Sequence, residues 1–234
     1  MIIAGATSVD AARRSAAAVG PHELKQRHVQ LRGSRLARAL LGLAGWQVAC
    51  NGLPAAQGVA VVYPHTSNWD FVVGMLAKWA IGIPVTFWGK DTLFRIPLFG
   101  RWLRWLGGVP VQREAPQGQV GQMIDALRAA RDEGRFMWLA LAPEGTRRRT
   151  EGWRTGFYRV ATQADVPVAV VVLDYAGRRV SFDSFWRLSG DLPADFAVFA
   201  QRYTACRGFH PEQAAPVRPI STSPTSPLSN ETRP

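Results

Sequence analysis

A histidine, a carboxylate and a cationic turn are spaced along this chain as a proton-transfer site would need them. His65-Thr-Ser-Asn-Trp-Asp70 follows the apolar run Val59–Tyr63 and precedes the apolar-rich segment Phe71–Ile81. An imidazole titrates near neutral pH, so a histidine at a strand exit can take a proton from a hydroxyl. A carboxylate fixed beside it keeps the other ring nitrogen protonated and stabilises the imidazolium that forms. A polar strand-to-helix turn with no catalytic duty would read the same way. The second stretch, Ala142-Pro-Glu-Gly-Thr-Arg-Arg-Arg149, makes the chemical reading the better one. Pro143 ends an apolar run, and Gly145 lets backbone approach a ligand closely. Arg147 can fork onto a phosphate and Thr146 can donate beside it. Glu144 is the odd member, because a bare carboxylate repels phosphate; it is expected to accept from a substrate hydroxyl or to orient Arg147. Arg148 and Arg149 need be no more than a basic surface turn.

Both stretches have to be carried on strand exits. Residues 59–63, 85–88, 109–112, 136–141, 166–173 and 180–186 read as strands from their apolar and β-branched content. Helices are expected over 36–50, 69–81, a short one opened by Pro97, then 119–132, 153–164 and 193–203. Asn68 suits the N-cap of the helix that starts at Trp69, which puts Asp70 in the first turn, where free backbone N–H groups favour its ionised form. Gly82 and Pro84 end that helix. Strands alternating with helices predict an α/β fold: a single domain with a mixed, mostly parallel sheet flanked by helices, and an N-terminal helix available for membrane contact.

The chain has 234 residues, 47% of them hydrophobic, which suits one globular domain. We divide it into a flexible basic arm over 1–33, the domain proper over 34–207 and a disordered Pro/Ser/Thr-rich tail over 208–234. With 28 Lys and Arg against 17 Asp and Glu, the net charge is +11. Such a charge calls for an anionic partner: nucleic acid, anionic lipid, an acidic carrier protein or a phosphorylated substrate. The two cysteines, Cys50 and Cys206, form no CxxC or Cys/His cluster, so no metal site is expected and both read as free thiols. No glycine-rich nucleotide fingerprint appears. No apolar run reaches the ~18–20 residues of a membrane span.

Between the two motifs lies a segment in which Phe87, Trp88, Phe94, Phe99, Trp102 and Trp105 alternate with Lys90, Arg95, Arg101 and Arg104. On a helix from Pro97, residues Leu98, Trp102 and Trp105 share one face with Arg101 and Arg104 to its side. That pattern fits a membrane interface, with Trp at headgroup depth and Arg on anionic lipid; an ordinary amphipathic core helix is the alternative. Residues 36–46 offer a second interfacial element.

The order His-x4-Asp then Ala-Pro-Glu-Gly-Thr-Arg, each after a strand, resembles the glycerolipid acyltransferase superfamily of the lysophosphatidic-acid acyltransferase type. The resemblance covers about residues 59–175. Gly108-Val-Pro-Val-Gln-Arg113, with Lys90 before it, matches the basic region between the two signatures, and Val166-Pro-Val168 matches a later strand. Ala142 replaces the commoner Phe, Gln112 stands where an acidic residue is frequent, and the late strand lacks a second Pro. These departures bear on the acceptor rather than on the acyl transfer. The resemblance implies direct transfer of a fatty acyl group from a thioester, on coenzyme A or acyl carrier protein, to a lysophospholipid hydroxyl. His65 would be general base, Asp70 its orienting partner, and Lys90, Arg113, Glu144, Gly145, Thr146 and Arg147 would bind the substrate. It implies no cofactor and no metal, a membrane lipid as partner rather than nucleic acid, and a place on the cytoplasmic face of a membrane, peripheral or shallowly inserted. Transfer to another lyso-lipid such as a lyso-aminolipid, thioester hydrolysis, and a non-enzymatic basic membrane- or nucleic-acid-binding role are the alternatives.

Overall fold

The computed structural model describes residues 20–25, 31–111 and 118–220. Its strands are β1 (His22–Glu23), β2 (Gln47–Ala49), β3 (Gln57–Tyr63), β4 (Val85–Lys90), β5 (Gly108–Val111), β6 (Met137–Leu141), β7 (Val168–Asp174) and β8 (Arg179–Arg187). The described helices are α1 (Arg35–Leu43), α2 (Trp69–Ile81), α3 (Asp91–Phe94), α4 (Phe99–Trp105), α5 (Gly118–Asp132), α6 (Gly156–Ala164) and α7 (Leu192–Tyr203). One sheet runs β1-β8-β7-β3-β6-β4-β5, with β2 also paired to β8. The five strands β7, β3, β6, β4 and β5 are mutually parallel. β8 turns back antiparallel on β7, and β1 is antiparallel to β8. The mixed, mostly parallel sheet expected from the alternation of elements is the one observed.

Period-2 alternation sorts the strand residues between two layers. Val59, Val61 and Tyr63 of β3 join α5, α6 and α7 on one face, whereas Ala60 joins α1 and α2 on the other. α2 occupies the span read from the sequence and ends at Gly82, whose φ of 87° needs a residue without Cβ. α1 stops at Leu43, short of the expected 36–50. Gly45 turns the chain at φ 76°, and 47–49 gain more by pairing with the exposed edge of β8 than by continuing the helix. α6 starts at Gly156, three residues after the expected Trp153, which instead is fully buried in the core.

The described parts of the two expected tails are built into the fold. His22 and Glu23 pair with β8, and Gly33 packs so closely on Ala80 that a Cβ there would clash with its carbonyl. Residues 206–220 form a strap over one end of the sheet. Its backbone is tied to Tyr175, Thr66, Glu144 and Trp153 by hydrogen bonds, which the expectation of a disordered tail over 208–234 missed; the Ser and Thr residues behind that expectation all lie beyond 220. Residues 1–19, 26–30 and 221–234 of the expected arm and tail lie outside the described residues.

Candidate active site

Parallel strands send their C-terminal ends to the same edge of the sheet, and side chains gathered there make the usual α/β site. β3 and β6 are hydrogen-bonded neighbours, with Val61 opposite Leu141. The loops that follow them, 64–68 and 142–147, therefore meet, although 79 positions separate His65 from Glu144.

Asp70 is the hub. It is 4% exposed. Its Oδ2 accepts the Thr66 N–H at 2.7 Å and the Ser67 N–H at 2.8 Å, and His65 Nδ1 lies 3.1 Å from the same oxygen. Oδ1 accepts the Tyr175 hydroxyl at 2.8 Å. Burial alone would raise the Asp70 pKa; the donors from His65, Ser67 and Tyr175 outweigh it and hold the carboxyl below its ordinary value. With Nδ1 on Asp70, His65 keeps Nε2 as its basic nitrogen. Asn68 sits where a cap was expected, but it is helical, at φ −66° and ψ −27°, and its side chain caps nothing. Ser67 Oγ accepts the Trp69 N–H at 3.2 Å, while Asp70 reaches back from the first turn to the Thr66 and Ser67 N–H groups of the loop.

Glu144 has a different place from the one expected of it. It is 1% exposed, and both carboxylate oxygens are used by backbone. Oε2 accepts the His65 N–H at 2.6 Å and Oε1 the Ala215 N–H at 3.0 Å. The Ala215 carbonyl in turn accepts the Tyr63 hydroxyl at 2.8 Å. Glu144 thus pins the histidine backbone to the strap; it lines neither cavity, and its carboxylate is held by backbone rather than by Arg147. Burial lifts its pKa to about 7, against the two N–H donors and the neighbouring His65, which favour the charged form.

Two cavities meet at this point, and His65, Trp88, Ala140, Leu141 and Ala142 line both. The first, about 250 Å³, runs under α2 between Val62, Phe71, Gly74, Met75, Ile81 and Phe87. Lys78 closes in on it with its ammonium given to the Leu106 carbonyl, and burial lowers its pKa. The second, about 560 Å³, is a basin that includes Gly145, Thr146, Arg147 and Arg154. Gly145, at φ 67°, lets Arg154 lie across it; a Cβ there would sit 3.1 Å from Arg154 Nε. The Arg147 and Arg154 side chains have no acidic partner among the described residues. Lys90 ends β4 opposite Val111, its side chain not described, and Arg113 lies outside the described residues.

Reading the sequence missed Arg154 and Tyr175. Arg154 stands in Gly152-Trp-Arg-Thr-Gly156, where one cation among many carries no signal of its own. Tyr175 is 105 positions from the carboxylate it holds.

The α/β sheet thus carries a histidine–aspartate pair at its strand ends, between an apolar cavity and a basin that includes two arginines. A family model described as Acyltransferase matches residues 47–174, and the chain belongs to that acyltransferase family. Among solved structures, the chain is similar to that of the 1-acyl-sn-glycerophosphate (LPA) acyltransferase PlsC from Thermotoga maritima, at 20% identity and a TM-score of 0.42, over 63% of this chain and 64% of that one. No curated protein matches the chain in sequence.

Proposed function

We propose that the enzyme moves a fatty acyl group from an acyl thioester, on coenzyme A or acyl carrier protein, to the hydroxyl of a lysophospholipid, 1-acylglycerol-3-phosphate being the acceptor put first, as a step of phospholipid biosynthesis. The observation that carries this reading is that His65 stands where an apolar cavity opens into a basin holding two guanidinium groups, Arg147 and Arg154, that have no acidic partner among the described residues. An acyl chain suits the first and a phosphate the second. His65 Nε2 takes the acceptor hydroxyl proton as the oxygen attacks the thioester carbonyl. The C–S bond then breaks, an ester is formed, and the imidazolium proton goes to the departing thiolate. Asp70 holds the imidazolium, and Arg147 with Arg154 anchors the phosphate.

Membrane attachment is part of the same proposal. Among the described residues no helix is long and apolar enough to cross a membrane. Leu36, Leu40 and Leu43 of α1, Trp69 and Val72 of α2, and Leu98, Trp102 and Trp105 at α4 are exposed, with Leu43 at 87% and Trp105 at 72%. α4 buries only Gly100 and Leu103, which speaks against the ordinary core helix. Basic Arg35, Arg38, Arg101 and Arg104 accompany these residues and suit an anionic cytoplasmic leaflet.

The test offers the purified protein labelled long-chain acyl-CoA and acyl carrier protein on anionic liposomes, with a panel of lyso-lipids, and identifies the product by mass spectrometry. Acylated lysophosphatidate supports the reading. Product from lyso-aminolipids alone replaces the acceptor, and label found only as free fatty acid replaces transfer by hydrolysis. Full recovery of a Trp102→Ala, Trp105→Ala protein with the liposomes would remove α4 from the membrane face.

A further inference from the structure

Tyr175 is the first residue after β7 and the first beyond the segment matched by the family. Its hydroxyl donates to Asp70 Oδ1, the carboxylate oxygen that His65 does not contact. Three separate parts of the chain set its position. Its N–H donates to the Arg207 carbonyl at 2.8 Å. The ring of Trp46, from the α1–β2 connection, packs edge-on at 4.9 Å, and that of Phe209, from the strap, at 5.3 Å. Burial first, and then the Asp70 charge, push the phenol well above its ordinary pKa, so it remains a donor throughout the range in which a histidine titrates. Tyr175 lines neither cavity.

We infer that Tyr175 is a positioning residue: it fixes the Asp70 carboxylate and moderates how strongly that carboxylate holds a protonated His65. The inference rests on the general-base reading of His65. The donors gathered on one carboxylate, from Thr66, Ser67, His65 and Tyr175, compete for its charge. The Tyr175 hydroxyl draws charge toward Oδ1, which leaves less on Oδ2 to stabilise the imidazolium. Without the hydroxyl, Oδ1 is buried with no donor and the charge concentrates on the side of the histidine.

Other charged groups face the pair. Glu144, from the loop after β6, sits on the His65 N–H and itself titrates at about 7. Lys78 lies further along α2 in the apolar cavity, and Arg147 and Arg154 lie across the basin. His210 of the strap donates its backbone N–H to Thr66 and has its ring near Glu212. Asp174, beside Tyr175, accepts from the Arg207, Ala176 and Gly177 N–H groups. Tyr175→Phe removes none of these.

The experiment records kcat/KM against pH for the wild type and Tyr175→Phe, each also in a Glu144→Gln background so that the Glu144 titration drops out. In parallel, NMR follows the His65 ring through its titration, which needs no turnover. Tyr175→Phe is expected to move the acid limb and the His65 midpoint to higher pH by about half a unit, a roughly three-fold loss of kcat/KM on the acid side. The alkaline plateau and the acceptor KM stay near wild type, whereas a merely structural role would lower the plateau. Phe209→Leu, which keeps the hydroxyl but frees its ring, shifts both in the same direction by less. A limb and a midpoint that stay in place, or move to lower pH, overturn the inference. His65→Ala separates the two levels: if that variant still turns over, the general-base reading fails; if it is dead and the limb is unmoved, only the role of Tyr175 fails.

Discussion

On one face of the sheet, Trp153, Phe157, Phe196, Phe199 and Tyr203 interlock through edge-on, tilted and stacked contacts and fill the space between β3 and helices α5, α6 and α7. On the other face, α2 lies over Ala60, Ala140 and Ala142 and itself turns Gly74 and Ala77 toward the sheet, leaving about 250 Å³ empty. Protein interiors are otherwise packed like crystals, and on the proposed function the connected apolar void ending at His65 is the space the acyl chain takes, with the reaction at its mouth.

That contrast can be broken at several points. His65→Ala has the largest expected effect, a loss of about 10³-fold or more in turnover with little change in melting temperature, checked by steady-state assay and calorimetry. Phe199→Ala, on the full face and lining neither cavity, is expected to cost about 3–5 kcal/mol in denaturant unfolding, with turnover per folded molecule retained. If the two variants exchanged these behaviours, the division between the faces would not hold.

Glu144 belongs to both sides. A folded-state pKa raised to about 7, above the ordinary carboxyl value, means that its contribution is fully present below pH 4.5 and is lost as pH rises through 7. Unfolding free energy of the wild type should fall by about 3 kcal/mol over that window relative to its slope in Glu144→Gln. Urea titrations at pH 5 and pH 8 measure it, and equal slopes would mean that the buried carboxyl stays charged throughout. The smallest effect on stability is expected from Gly74→Leu. A Cβ at Gly74 meets nothing within 4 Å, and replacing a mid-helix glycine gains up to about 1 kcal/mol. The leucine should nevertheless enter the cavity and depress transfer of long acyl chains more than short ones. Unchanged chain-length preference would show that the acyl chain lies elsewhere.

Residues close in sequence were legible, because local physics fixes them. His65 and Asp70, five apart across a strand-to-helix turn, are within reach of one another once the turn forms, and α2 announces itself by its apolar run and by Gly82. The Asn68 side chain does not cap, because a cap propensity does not say which of two neighbouring side chains takes the first helical N–H; Ser67 Oγ takes that of Trp69. The strap was misread because composition reports solubility, whereas its order comes from partners such as Thr66, Glu144 and Trp153, far away in sequence.

The sequence by itself determined the layered α/β plan, the histidine–aspartate pair and the cationic turn, because each follows from periodicity, turn chemistry or residues a few positions apart. Only the tertiary structure decided that Glu144 is buried under the strap, that Arg154 joins Arg147, that Tyr175 reaches Asp70 and that one face is hollow. These depend on which strands become neighbours and on how much volume their side chains leave, which no local segment of the chain specifies.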